Sequence, residues 1–128
     1  MAYLLDTHAF LWFASEDNQL PASIQNIIRD IHNPCFLSSA SLWEITIKQQ
    51  IGKLKLHFPL LELFEFADRN QIEIIPITYE HLLTLSKLPK HHNDPFDRLI
   101  ISQAISENLI VISKDKEFKK YTVKLQWA

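Results

Sequence analysis

The amino-acid sequence predicts an α/β fold whose parallel sheet is buried on both faces, and three observations carry that expectation. Short apolar runs alternate with longer segments of helical period along the 128 residues, the pattern of repeated strand and helix units. Hydrophobic residues make up 47% of the chain, enough at this length to bury roughly two-thirds of the unfolded surface around one core. Pro21, Pro59 and Pro95 each open a segment of helical period, and at a first helical position the missing N–H of proline costs nothing. A single domain over residues 1–128 is expected, with no internal repeat, linker or low-complexity tract.

In chain order, the apolar run Ala2–Leu5 is the first expected strand, and THAFLWFA at Thr7–Ala14 is the helix after it. Pro21–Ile31 reads as a second helix and Cys35–Ser38 as a second strand. Ser41–Ile51 and Pro59–Arg69 follow as helices, Ile72–Ile75 as a strand, then Tyr79–Leu88 and Pro95–Glu107 as helices. Leu109–Ile112 is a fourth strand and Thr122–Leu125 a fifth. Length separates the two kinds of element, since apolar runs of about four residues suit strands and longer periodic ones suit helices. Trp12, Phe13, Trp43 and Phe96 fall inside helix-period apolar patterns. They are read as core or subunit-interface residues rather than base-stacking platforms.

Composition removes several function classes. Thirteen Lys plus Arg against fifteen Asp plus Glu leave a net charge of -2, so no overall basic balance marks a nucleic-acid binder. Affinity for RNA would need local patches or bound cations. Gly52 is the only glycine, which excludes the glycine-rich dinucleotide fingerprint and the phosphate-binding loop. GxSxG, CxxC and HExxH are absent, so hydrolase-elbow, redox and zincin readings have no basis. Cys35 has no disulfide partner and lies in the apolar stretch Pro34–Leu37; a buried free thiol and a reducing cytoplasm are expected. The start, MAYLLDTHAFLWFA, has no Lys or Arg before its apolar run, is interrupted by Asp6 and His8, and is too short to span a bilayer. No membrane attachment is expected.

Four carboxylates carry the candidate chemistry. Asp6 directly follows the first strand, Glu44 lies in the first turn or so of the third helix, Asp97 starts the last helix, and Asp115 follows the fourth strand. In an open parallel sheet such strand ends and helix starts gather at one edge, where ligands bind. Like charges packed there raise one another's pKa unless a cation neutralises them. Carboxylate oxygens suit Mg²⁺ or Mn²⁺, and such ions can hold a phosphate, activate a water for in-line attack and stabilise the leaving oxygen. Phosphodiester hydrolysis is the inferred reaction. Singly, each acid also has a local explanation, because Asp and Glu favour helix starts. Asp6 can cap the helix from Thr7, and Ser41 with Glu44 has capping-box spacing, while Glu44 can also pair with Lys48. Asp94 can cap the helix at Pro95, leaving Asp97 as a favourable first-turn charge, and Asp115 can cap a short turn through Phe118. The case is the set.

LLDTHAFLW at 4–12, SLWEITIKQQIGKL at 41–54, HHNDPFDRLIISQA at 91–104 and VISKDKEF at 111–118 together resemble PIN-domain proteins, specifically VapC-type toxins of bacterial toxin–antitoxin pairs. The resemblance implies a three-layer α/β/α sandwich around a mostly parallel sheet of about five strands. It further implies Mg²⁺- or Mn²⁺-dependent endoribonuclease activity on RNA, a homodimer, and a small cognate antitoxin that blocks the site. By position, Asp6 matches the family's first acid, Glu44 the second on its helix, Asp97 the third and Asp115 the fourth. Asp6 and Asp97 are then the expected direct metal ligands, with Glu44 and Asp115 completing the cluster directly or through water. Asp94 matches an extra acid in the DPFDR segment, and is read as a cap first and an auxiliary site residue second. No core acid is replaced.

Several neighbours of the acids have two readings. Thr7, Ser38 and Ser113 stand near strand ends, where a hydroxyl can orient a water or serve local helix-start hydrogen bonds. Arg98 can contact phosphate or make a structural pairing. His8, His91 and His92 with Asp94 raise zinc, against which stands the absence of cysteine support. Residues 114–124, KDKEFKKYTVK, hold five lysines against two acids and are either an RNA-guiding patch or a solvated edge with Phe118 and Tyr121 buried. Two other functions stay open: a PIN-fold RNA- or protein-binding module with little turnover, and a nuclease acting on DNA.

Overall fold

The computed structural model describes residues 1–127. Among the described residues, strands β1 (Tyr3–Leu5), β2 (Cys35–Ser38), β3 (Ile72–Ile75), β4 (Ile110–Ile112) and β5 (Leu125–Gln126) form one sheet. Helices α1 (Thr7–Ser15), α2 (Ala22–Arg29), α3 (Ser39–Gln50), α4 (Leu60–Arg69), α5 (Tyr79–Lys87) and α6 (Pro95–Glu107) connect them, with a 3-10 turn at Lys116–Lys120. Every strand pairing is parallel, in the order β3-β2-β1-β4-β5. Leu4 of the central strand faces Phe36 of β2 on one side and Val111 of β4 on the other. The chain winds outward from β1 through β2 to β3, then returns to place β4 on the opposite side of β1. That reversal leaves a crevice at the carboxyl ends of β1 and β4.

Side chains alternate across a strand, and both faces are covered. Tyr3, Leu5, Leu37 and Ile112 pack with Phe10, Ile24, Ile45 and Leu63 from α1 to α4, whereas Leu4 and Val111 pack with Ile100, Ile101 and Ala104 of α6 and with Phe118. Helix α5 lies against α6. The result is the α/β/α sandwich around a five-stranded parallel sheet that the sequence predicts. Each fully buried Leu or Ile contributes about 1.5–3 kcal/mol to it.

Polar caps place the helix starts. Asp6 Oδ1 accepts from Ala9 N at 2.8 Å, Ser38 Oγ from Ala40 N at 3.0 Å, and Asp94 Oδ1 from Phe96 N and Asp97 N at 2.9 and 3.2 Å. Pro95 occupies a first helical position, but Pro21 and Pro59 stand one residue earlier, with extended backbone and no side-chain cap. Gly52, just past α3, has φ +78°, a left-handed conformation that favours glycine.

Two boundaries differ from the sequence-based expectation in ways that matter. Helix α3 starts at Ser39, capped by Ser38, so Ser41 and Glu44 are not a capping box. Glu44 lies about one turn deeper than expected. Strand β5 is Leu125–Gln126 rather than Thr122–Leu125. Buried Phe118 and Tyr121 pin the preceding chain to the core, and it reaches the sheet only at Lys124, whose carbonyl accepts from Val111 N at 2.8 Å.

Candidate active site

The acids arrive at the crevice from different elements. Asp6 is the residue after β1, is 5% exposed, and spends one oxygen on the cap of α1. Burial pushes its carboxyl above the usual range, opposed by hydrogen bonds from Ser113 and the Ala9 N–H. Asp115, beyond β4, is exposed and caps the 3-10 turn, with Oδ1 accepting from Glu117 N at 2.9 Å. Asp97 lies in the first turn of α6 with 19% of its side chain exposed.

Glu44, on α3, is 3% exposed and has both oxygens engaged. Thr7 Oγ1 donates to Oε1 at 2.7 Å, and Lys48 Nζ donates to Oε2 at 2.6 Å. Thr7 Oγ1 also lies 2.9 Å from Ser41 Oγ; with its single proton given to Glu44, Thr7 accepts from Ser41. The Thr7 hydroxyl therefore ties α1 to α3 through a buried carboxylate instead of serving its own helix start.

Asp97 reports how these groups feel one another. Its carboxyl is pushed up to about 8, first by burial and then by the charges of Asp94, Asp6, Glu44 and Asp115. All five acids thus share one field. Lys48 stands in it as well: its ammonium is held above the usual lysine range mainly by Glu44, with Asp94 and Asp97 adding to the effect. From sequence, Lys48 reads only as an i,i+4 partner of Glu44. The signal that raises it further is the burial of Glu44, which a helix-start placement hides.

The remaining candidates separate. Ser113 Oγ accepts from Asp115 N at 3.0 Å and hydrogen-bonds Asp6, so it bridges two of the acids. Ser38 caps α3. Arg98 turns away from the acids: its guanidinium donates to the carbonyls of Leu88 and Pro89 and to the Tyr121 hydroxyl. Asp94 is the cap of α6 and also the largest charge acting on Asp97. His8 lies with Trp12, Lys114, Asp6 and Asp115 around an open depression beside the acids. Lys114 sits 5.8 Å above the Trp12 ring. Phe13 is buried, but Trp43 is 60% exposed, its ring 5.5 Å from Phe96; that removes the core reading for Trp43. Phe118 and Tyr121 are buried.

Among the described residues, no three His, Cys, Asp or Glu side chains form a ready-made metal-holding group. The donor chemistry nevertheless fits a hard dication, since the set is all carboxylate oxygen. A carboxyl pushed up to about 8 by burial and by neighbouring negative charge is also what a cation would relieve. His91 and His92 are engaged with Tyr121, by ring packing at 4.9 Å and by a 2.8 Å contact at Nδ1.

The fold has close counterparts of known structure. The chain matches VapBC2 from Rickettsia felis, solved bound to a DNA fragment from their promoter, at 24% identity over 100% of each chain with a TM-score of 0.75. It matches VapBC-1 from nontypeable Haemophilus influenzae at 20% identity over 98% of this chain and 97% of that one, TM-score 0.75. It matches VapBC-5 from Mycobacterium tuberculosis at 18% identity over 98% and 95%, TM-score 0.64. No curated protein matches at the same stringency. The model of the PIN domain matches residues 3–124, a span that includes every one of these acids, and the chain belongs to the PIN-domain family.

Proposed function

We propose that this chain is a divalent-metal-dependent endoribonuclease and the toxin of a VapBC-type toxin–antitoxin pair. PIN domains are in general nucleases and typically use divalent metals. The observation that carries the reading is Asp97: at the carboxyl edge of a parallel sheet, burial first and then the charges of Asp94, Asp6, Glu44 and Asp115 push its carboxyl to about 8. Asp6, Glu44, Asp97 and Asp115 would hold Mg²⁺ or Mn²⁺. When bound, that ion supplies charge neutralisation for the phosphate and a more acidic water for attack. The chain's own groups prepare the site. Thr7 holds Glu44 in one orientation, Ser113 joins Asp6 to the Asp115 backbone, and Lys48 neutralises Glu44 until a cation does so.

The partners follow from the same reading: an RNA substrate, a cognate antitoxin as in the VapBC complexes that share the fold, and a homodimer in the cytoplasm. Among the described residues no helix is long and apolar enough to cross a membrane. Purified protein is expected to cut RNA with Mg²⁺ or Mn²⁺ and to lose cutting with EDTA or on Asp97→Asn. Parallel digests of DNA distinguish the polymer. Undiminished cleavage by clean Asp97→Asn protein would sink the assignment.

One observation favours a second reading, a binding module with little turnover. Both oxygens of Glu44 are occupied, one of them by an ammonium. If Lys48 never yields, RNA or partner protein would bind without being cut in any divalent metal.

A further inference from the structure

The segment between α5 and α6 is fastened to Tyr121. The phenolic oxygen accepts from the backbone N–H of His91 and of His92, both at 3.2 Å, and from Arg98 Nη1 at 3.2 Å. Three N–H groups crowd its lone pairs, so what Tyr121 has left to offer is its own O–H. His92 Nδ1 lies 2.8 Å away to accept it. With Nδ1 as acceptor, the neutral imidazole carries its proton on Nε2. That nitrogen is buried and, among the described residues, has no hydrogen-bond partner. It faces Asp97 Oδ2 at 3.6 Å, beyond a true hydrogen bond. A buried donor without an acceptor is uncommon in folded proteins and calls for an explanation.

We propose that His92 is a positioning residue for Asp97: its Nε2–H, fixed by the Tyr121 hydroxyl, closes onto Oδ2 when Asp97 engages a divalent cation, and sets the orientation of that carboxylate. The role rests on the metal-nuclease reading above, whereas the tautomer does not. A turn of the Asp97 side chain shortens the contact without moving His92, whose backbone N–H and ring are both held by Tyr121. Hydrogen bonds of this outer kind orient ligating groups, and their loss typically weakens metal binding by about 10- to 100-fold.

Two measurements, neither using RNA, test this. In ¹⁵N NMR of the metal-free protein, His92 should show the Nε2–H tautomer; an Nδ1–H tautomer overturns the proposal. In calorimetric Mn²⁺ titrations, His92→Phe should bind about 10-fold or more weakly, whereas His92→Gln, whose amide N–H can reach the same carboxylate, should stay within a few-fold of wild type. Equal affinity of His92→Phe and wild type, or an equal loss in Phe and Gln variants, overturns it. If the Phe variant fails to fold, the tautomer and the Gln titration decide. Wild-type protein that shows the Nε2–H tautomer but binds no Mn²⁺ would remove the nuclease reading and leave the His92 tautomer standing.

Discussion

Asp97 joins stability to the chemistry of the site. A carboxyl whose folded-state pKa stands above its unfolded value adds stability below the unfolded pKa, and that contribution is lost as pH rises through the folded one. For Asp97 the window runs from the ordinary 3.8 to about 8, and Asp6 is shifted in the same direction. Metal-free protein is therefore expected to melt at a lower temperature near pH 9 than near pH 5. Asp97→Asn should flatten that slope and, at the higher pH, melt above wild type; Mn²⁺ should raise the wild-type midpoint most where Asp97 is ionised. A wild-type slope no steeper than that of Asp97→Asn would contradict the shift. Thr7 gives a second expectation at this scale. Thr7→Val leaves one oxygen of buried Glu44 without its donor, a loss of about 1–3 kcal/mol that Thr7→Ser should largely avoid in urea denaturation. Sequence misjudged Thr7 because its partner Glu44 is buried across a helix–helix contact, and burial between distant segments leaves no mark on local spacing; the i,i+4 pairing of Lys48 with Glu44 was legible.

Among the elements, α6 shows how a helix start and a functional site use the same atoms. Asp94 caps it through two backbone N–H groups and also raises Asp97. Asp94→Ala is expected to destabilise the protein by about 1 kcal/mol near pH 5, from the lost cap. The deficit should shrink at higher pH, because the same change relieves the ionised Asp97. Urea midpoints at both pH values, with the Asp97 carboxyl followed by ¹³C NMR, check both effects. The helices and the first four strands were legible because each carries its own period and, at Asp6 and Asp94, its own cap. The start of α3 was not, since Ser38 and Ser41 both suit a cap and tertiary packing chose the earlier one. Strand β5 was displaced because its position depends on where Phe118 and Tyr121 anchor.

For the whole molecule, the parallel order places β1 and β4 side by side, and the acids meet because that is where the winding reverses. The gathering of Asp6 and Asp115 at one sheet edge, and of Asp94 with Asp97 at one helix start, was legible in outline, while the closeness of Lys48 to Asp97 needed the packing of α3 against α6 and that of His92 needed its anchor on Tyr121. The turn after β4 depends on one fully buried ring. Phe118→Ala should cost about 3–5 kcal/mol and loosen the segment carrying Asp115 and Tyr121, seen as a lower urea midpoint and faster proteolysis after Lys114. A substitution of a buried ring that bears no ligating group would then weaken Mn²⁺ binding as well.

Cys35, at the start of β2, is 4% exposed, and burial pushes its thiol up to about 11. Packed between the sheet and the helices, it is screened from reagents while the fold is closed, and near neutral pH it presents almost no thiolate. The chain thus carries a built-in clock for its own opening. Modification by an aromatic disulfide should proceed at a rate set by unfolding events, slow in the intact protein and accelerated in step with any substitution that lowers stability.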